Sequence, residues 1–150
     1  PTIRAYNAMI SACEKGGQWE KALELFDELQ QRGLEPTLIT YNAMISACEK
    51  GRQCEKALEL FAELQRRGLE PDVVTYSATI SACEKVGQWE TAFELFGDLR
   101  RRGLEPNVIT YNAMISACEK GGQWEKAVEL FYELQQRGLE PNIITYNAMI

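Results

Sequence analysis

Apolar and polar positions along this chain recur with the period of a helix. Tyr41, Met44, Ile45 and Cys48 fall at i, i+3, i+4 and i+7, one face of a 3.6-residue spiral, with Asn42, Ser46 and Glu49 on the adjoining polar face. A second stripe, Trp19, Ala22, Leu23 and Phe26, widened by Leu25 and Leu29, repeats that spacing in the preceding segment. Thr40 stands where an N-cap hydroxyl would receive the first unpaired N–H groups, and Gly51 stands where that helix should end. Gly33 and Pro36 close the earlier helix, the glycine through a left-handed cap and the proline by forbidding continuation. The pattern predicts helix, turn, helix, and no segment reads as a strand.

The same pattern returns along the whole chain. "ITYNAMISACEK" begins at 39 and at 109, and a near copy, "VTYSATISACEK", begins at 74, so the period is 35. "RAYNAMISACEK" at 4–15 and the shorter "ITYNAMI" at 144–150 extend the series. The second helix repeats as "EKALELFDELQQRGLEPT", "EKALELFAELQRRGLEPD", "ETAFELFGDLRRRGLEPN" and "EKAVELFYELQQRGLEPN". The units are 3–37, 38–72, 73–107 and 108–142, with the start of a fifth at 143–150. A helical hairpin of this size cannot bury its own apolar stripe, so neighbouring units must stack and share a core; this predicts an all-α array. Pro1 begins mid-motif and Ile150 stops within the first turns of a helix, as expected of a piece from a longer array.

Charge and chemistry narrow the functional classes. Sixteen Lys and Arg against 22 Asp and Glu give a formal net charge of −6, which argues against a general field that draws in polyanions but allows a locally basic groove. Without histidine there is no Ser-His-Asp or Cys-His constellation, no zinc deaminase site and no side chain that titrates near neutrality by default. Glu20, Glu24, Asp27 and Glu28 lie among Lys21 and Arg32 and read as a solvated face. The glycine pairs at 16–17 and 121–122 lack the Lys-Ser/Thr of a phosphate loop. Neither catalysis, a cofactor nor a small-molecule substrate is expected.

Cys13, Cys48, Cys83 and Cys118 share one place on the apolar face and read as small buried thiols, while Cys54 replaces the tryptophan of Trp19, Trp89 and Trp124. With no CxxC pair, neither a metal site nor a disulfide framework is expected, and the pattern suits a reducing compartment. No apolar run is long enough to span a bilayer, so membrane insertion is not expected.

The period of 35, the opening "TYNAMI", the second helix "EKALELF" and the closing "RGLEP" with a variable residue after the proline resemble the pentatricopeptide repeat family across essentially the whole chain. The tetratricopeptide repeat has a period of about 34, and its Trp-Leu-Gly-Tyr helix does not map here. The resemblance implies a right-handed superhelix, an α-solenoid of tandem helix-turn-helix hairpins whose first helices line a groove for single-stranded RNA, one base per repeat. The implied base-reading pairs are Asn7 with Thr37, Asn42 with Asp72, Ser77 with Asn107, and Asn112 with Asn142; Asn147 opens a fifth. By the family's code these imply a pyrimidine, U, A, and C or less often U, hence Y-U-A-C. The chemistry is reasonable: an Asn amide offers donor and acceptor to a pyrimidine edge, a neighbouring Asp can orient that amide, and a Ser leaves room for a purine.

Ile39, Val74, Ile109 and Ile144 match an apolar residue that the family wedges between bases. Arg4 and Ala5 depart from this pattern in the first unit, which makes it the weakest match. Lys15, Lys50, Lys85 and Lys120 match a phosphate-contacting basic residue at one per repeat, and Glu14, Glu49, Glu84 and Glu119 beside them would cancel that attraction if they face the groove. The implied role is organellar RNA processing, stability or translation in a mitochondrion or plastid.

A second class stays open: a protein-binding or structural solenoid with other protein subunits as partners, in a large organellar assembly such as a ribosome or a photosynthetic or respiratory complex. The acidic balance favours it, and the Asn series would then form a hydrogen-bond ladder across helices. The varied polar pairs favour RNA. The tryptophans lie on second helices and are expected in the core, not under bases.

Overall fold

Each repeat begins with a capped helix whose cap lies three residues ahead of the threonine that the sequence suggests. In the computed structural model, which describes residues 2–149, these residues form nine helices and no strand. The hairpins pair α1 (Ile3–Lys15) with α2 (Trp19–Gln31), α3 (Leu38–Lys50) with α4 (Cys54–Arg66), α5 (Val73–Lys85) with α6 (Trp89–Arg101), and α7 (Val108–Lys120) with α8 (Trp124–Gln136); α9 (Ile143–Met149) opens a fifth. The N-caps of α1, α3, α5 and α7 are Thr2, Thr37, Asp72 and Asn107, each side chain accepting the N–H three residues on. Thr40 is therefore not a cap. It and its equivalents Thr75 and Thr110 are fully buried, and each hydroxyl oxygen accepts the N–H of the cap residue, closing a capping box.

The two turns of each repeat use glycine for different reasons. Gly33 at φ +78° supplies the left-handed position expected of it. Gly51 ends α3 with an ordinary φ of −84°, and the left-handed residue is Arg52 at φ 57°. The need for glycine at 51 is steric: a Cβ there would lie 2.4 Å from Cδ1 of Trp19 in the preceding repeat. Gly121 stands against Trp89 in the same way, with its Cβ position 2.7 Å from the ring. At the junction between, both partners change together. Cys54 replaces the tryptophan and Val86 the glycine, and the two line one cleft.

The helices form two layers with different packing. First helices stack directly, α1 on α3, α3 on α5, α5 on α7 and α7 on α9, while each second helix packs on the first helix of its own repeat and of the next. Among the described residues the backbones of second helices stay apart and are bridged by long side chains, as where Arg67 donates to Gln30 at 2.8 Å. The core runs along the seam between the layers. Tyr6, Tyr41, Tyr76 and Tyr111 are buried in it, and each donates its hydroxyl to a second-helix carboxylate 22 residues on: Glu28, Glu63, Asp98 and Glu133. The phenylalanine of one repeat meets the next tyrosine edge-on, at 5.5 Å for Phe26 and Tyr41, 5.1 Å for Phe61 and Tyr76 and 6.3 Å for Phe96 and Tyr111. Each such pair contributes about 0.5–1.5 kcal/mol beyond area burial.

Burial, aided by the carboxylate partner, drives the phenols of Tyr41 and Tyr76 well above their ordinary range and that of Tyr111 to about 12. Cys48, Cys83 and Cys118 are buried as expected, whereas Cys13 is half-buried. Trp19 and Trp89 pack against the core, whereas Trp124 is 70% exposed. No described helix is long and apolar enough to cross a membrane.

Candidate nucleic-acid interface

The stacking of first helices brings one polar residue of each repeat against the cap of the next. Asn42 in α3 donates through Nδ2 to Oδ1 of Asp72 at 3.2 Å, and its Oδ1 accepts the hydroxyl of Thr75 at 2.6 Å. Asp72 Oδ1 also accepts the Thr75 N–H at 3.0 Å, the capping bond. One side chain thus ends a helix and orients its neighbour. Among the described residues Asp72 Oδ2 makes no hydrogen bond, and one N–H of Asn42 is likewise unspent.

The other repeats vary this network. Ser77 is 3% exposed; its hydroxyl lies 2.6 Å from that of Thr110 and 3.4 Å from Oδ1 of Asn107, which caps α7. The amide nitrogen of Asn107 has no described partner. Asn112 donates to Oδ1 of Asn142 at 3.2 Å and accepts the hydroxyl of Thr145, leaving the Asn142 amide nitrogen unspent. In the first repeat Asn7 accepts from Thr40 at 2.6 Å but makes no hydrogen bond to Thr37. Asn147 is exposed on α9. The ladder across helices exists, and Asn42, Asp72, Asn107 and Asn142 each keep a polar group with no described partner.

Aliphatic side chains stand between these pairs. Ile39, Val74 and Ile109 are 69%, 52% and 62% exposed at the second residue of their helices, an unusual outlay of apolar surface. Val74 and Ile109 flank Ser77 and Asn107 in one cleft. The side chain of Ile144 lies outside the described residues.

The basic series is tied up in ion pairs. Lys50 lies 3.3 Å from Glu14, Lys85 2.9 Å from Glu49 and Lys120 2.7 Å from Glu84, each lysine reaching the carboxylate of the preceding repeat. Ser81 donates to Glu49 at 3.0 Å and Ser116 to Glu84. Lys15 is exposed with no described partner. Glu49 and Glu84 line clefts with the polar residues of the groove, Glu119 instead lines a cleft beside Trp124, and three of four lysines are matched by a negative charge. Such half-exposed pairs are worth about 0–1 kcal/mol each, so a phosphate can compete for the lysine.

The repeat and its two helices match a known pattern. The PPR repeat family model covers residues 1–50 and 106–150, the pentatricopeptide repeat domain model 59–123, and the PPR repeat model 39–69. The chain belongs to the pentatricopeptide repeat family. Its fold is the right-handed α-solenoid of that family.

Among solved pentatricopeptide structures, that of PPR10 in complex with an 18-nt psaJ RNA element is 37% identical, with a TM-score of 0.83 over 98% of this chain and 22% of that one. PPR10 from maize matches with a TM-score of 0.83 and 37% identity over 99% of this chain and 21% of that one. The PPR domain of Arabidopsis thaliana protein-only RNase P 1, in complex with tRNA, has a TM-score of 0.79 at 19% identity, covering 95% of this chain and 75% of that one; at that identity it speaks for the fold alone. The chain spans about a fifth of the length of PPR10. No curated protein sequence matches it.

Two sets of pentatricopeptide residues with parts in this groove were not singled out from the sequence. Thr75, Thr110 and Thr145 are the hubs that join each cap to the polar residue of the preceding repeat, and Ser81 and Ser116 hold the groove carboxylates. Their signal was present in the repeat as a threonine three residues after each variable position.

Proposed function

We propose that this chain binds single-stranded RNA along its stacked first helices, one base per repeat, with the preference Y-U-A-C. The observation that carries the reading is the set of unspent atoms on the paired readers. Asp72 Oδ2 can accept the imino N–H of uracil while the remaining Asn42 N–H donates to a uracil carbonyl. The Asn107 amide offers donors to the ring nitrogen of adenine, and the short, buried Ser77 leaves space for the larger base. The Asn142 amide offers donors to the ring nitrogen and carbonyl of cytosine. Ile39, Val74 and Ile109 supply the apolar surfaces between which bases are held. That PPR10, 37% identical, is solved in complex with an 18-nt psaJ RNA element supports the reading. Family membership supports a role in processing, stability or translation of a transcript in a mitochondrion or plastid.

The test is fluorescence anisotropy of the chain with single-stranded RNA carrying CUAC and with a control in which U and A are exchanged. Each matched base should contribute about 1–3 kcal/mol of discrimination, so the exchange should weaken binding at least tenfold. Equal affinity for the two RNAs overturns the base assignments. No binding to either at low salt favours the protein-scaffold reading, for which the self-neutralised Glu and Lys ladder speaks.

A further inference from the structure

We propose that Cys54 and Cys83 are an oxidisable dithiol site, at which a low-molecular-weight disulfide of the glutathione class converts two thiols into a covalent staple between the second and third repeats. The two Sγ atoms lie 3.1 Å apart, one at the first residue of α4 and the other in α5. A disulfide bond is about 2.0 Å long, so closure needs an approach of about 1 Å. This juxtaposition is particular to one junction. At the places equivalent to Cys54 in the neighbouring repeats stand Trp19 and Trp89, so Cys48 and Cys118 face no second thiol from that position. Val86, in place of the glycine at Gly51 and Gly121, occupies part of the volume that the missing indole leaves. The paired departures produce a buried dithiol where the other junctions have an aromatic ring.

The two sulfurs differ in access. Cys83 is fully buried, whereas Cys54 is 6% exposed and lines a surface cleft of ≈ 480 Å³ with a polar rim of Arg52, Gln53, Glu55 and Gln88. Burial, with Cys54 as neighbour, keeps the Cys83 thiol protonated, so exchange begins at Cys54. Cys54 gives its proton to solvent and attacks one sulfur of the oxidant. The oxidant's S–S bond breaks, and one thiolate leaves and is protonated. Cys83 then loses its proton and displaces the second thiolate from Cys54 Sγ. Two protein thiols have given up two electrons and two protons, and one small disulfide has become two thiols. The staple joins α4 to α5 and holds the second repeat in register with the third. This site is independent of whether the groove binds RNA.

The experiment incubates the folded chain with glutathione disulfide, alkylates remaining thiols, and maps the peptides by mass spectrometry with and without reductant. The expected result is a peptide linking Cys54 to Cys83 that reductant separates, with Cys48 and Cys118 still thiols. Oxidation should also raise the urea midpoint of the wild type and leave that of Cys54→Ser unchanged. A glutathione adduct on Cys54 with Cys83 free overturns the proposal, as does an unreacted pair once Cys13 has been fully converted.

Discussion

Replacing Gly51 by alanine tests whether the repeats are matched in size at each junction. The added Cβ would sit 2.4 Å from Trp19 Cδ1 and 2.6 Å from Cγ, the root of the indole, where carbon contacts favour about 3.5–4.0 Å. The ring cannot swing clear by its tip alone, so both it and the end of α3 must shift. Overpacking of this kind costs about 1–3 kcal/mol. The backbone works in the opposite direction: at φ −84° alanine is unstrained, and losing glycine's freedom in the unfolded chain stabilises by about 0.4–1 kcal/mol. The net effect should be a loss of about 0.5–2 kcal/mol. With Trp19→Ala the overlap vanishes and the same change should stabilise by about 0.4–1 kcal/mol. Urea unfolding of wild type, the two single variants and the double variant, followed by far-UV circular dichroism, gives the coupling directly. If Gly51→Ala has the same effect with and without the indole, the steric account of that glycine is wrong. The complementary experiment is Cys54→Trp, which should destabilise beside Val86 and be relieved by Val86→Gly.

Asp72→Asn keeps a capping oxygen but exchanges the free carboxylate oxygen for an amide, so stability should change by less than about 0.5 kcal/mol while the preference at the second base moves from U towards C, read by anisotropy with paired RNAs. Because most groove lysines carry a carboxylate partner, the salt dependence of RNA affinity should be shallow, with a log–log slope nearer to about −0.7 than to the −2.8 or so expected for four phosphate contacts, and Glu49→Gln should steepen it. The folded state holds the phenol of Tyr111 neutral up to about 12, above its unfolded value near 10, so its contribution is complete below about pH 10 and is lost as pH rises from there to about 12. Base titration of unfolding free energy should show this fall, and Tyr111→Phe should reduce it.

Much of the architecture was legible in the sequence because it depends on local spacing. The i, i+3, i+4, i+7 stripe of Tyr41, Met44, Ile45 and Cys48 is a property of one helix, and the period of 35 follows from comparing the chain with itself. The cap was misplaced because two hydroxyl residues, Thr37 and Thr40, stand three apart at the same helix start, and a capping box uses both. The partners of the groove lysines were not legible for another reason. Each lysine adjoins a glutamate in sequence, but the ion pair runs to the preceding repeat, 36 residues away for Lys50 and Glu14, and depends on how two units sit together. The Trp19 and Gly51 match and the thiol pair belong to that same class of contact, set at junctions where no single repeat holds both partners.

The residue that caps each first helix from α3 onward is also the second member of a proposed reading pair, and on that reading this restricts how such a chain can change its target over generations. Thr37, Asp72, Asn107 and Asn142 are all drawn from the few side chains able to accept the N–H three residues on. A mutation within that set rewrites a letter at little cost to folding. One that leaves it forfeits about 1 kcal/mol at a helix start, repeated for every unit so altered. The alphabet available for recognition is therefore confined by the rules for beginning a helix. On the proposed reading, a lineage of these arrays can drift from message to message by single substitutions without passing through an unfolded ancestor.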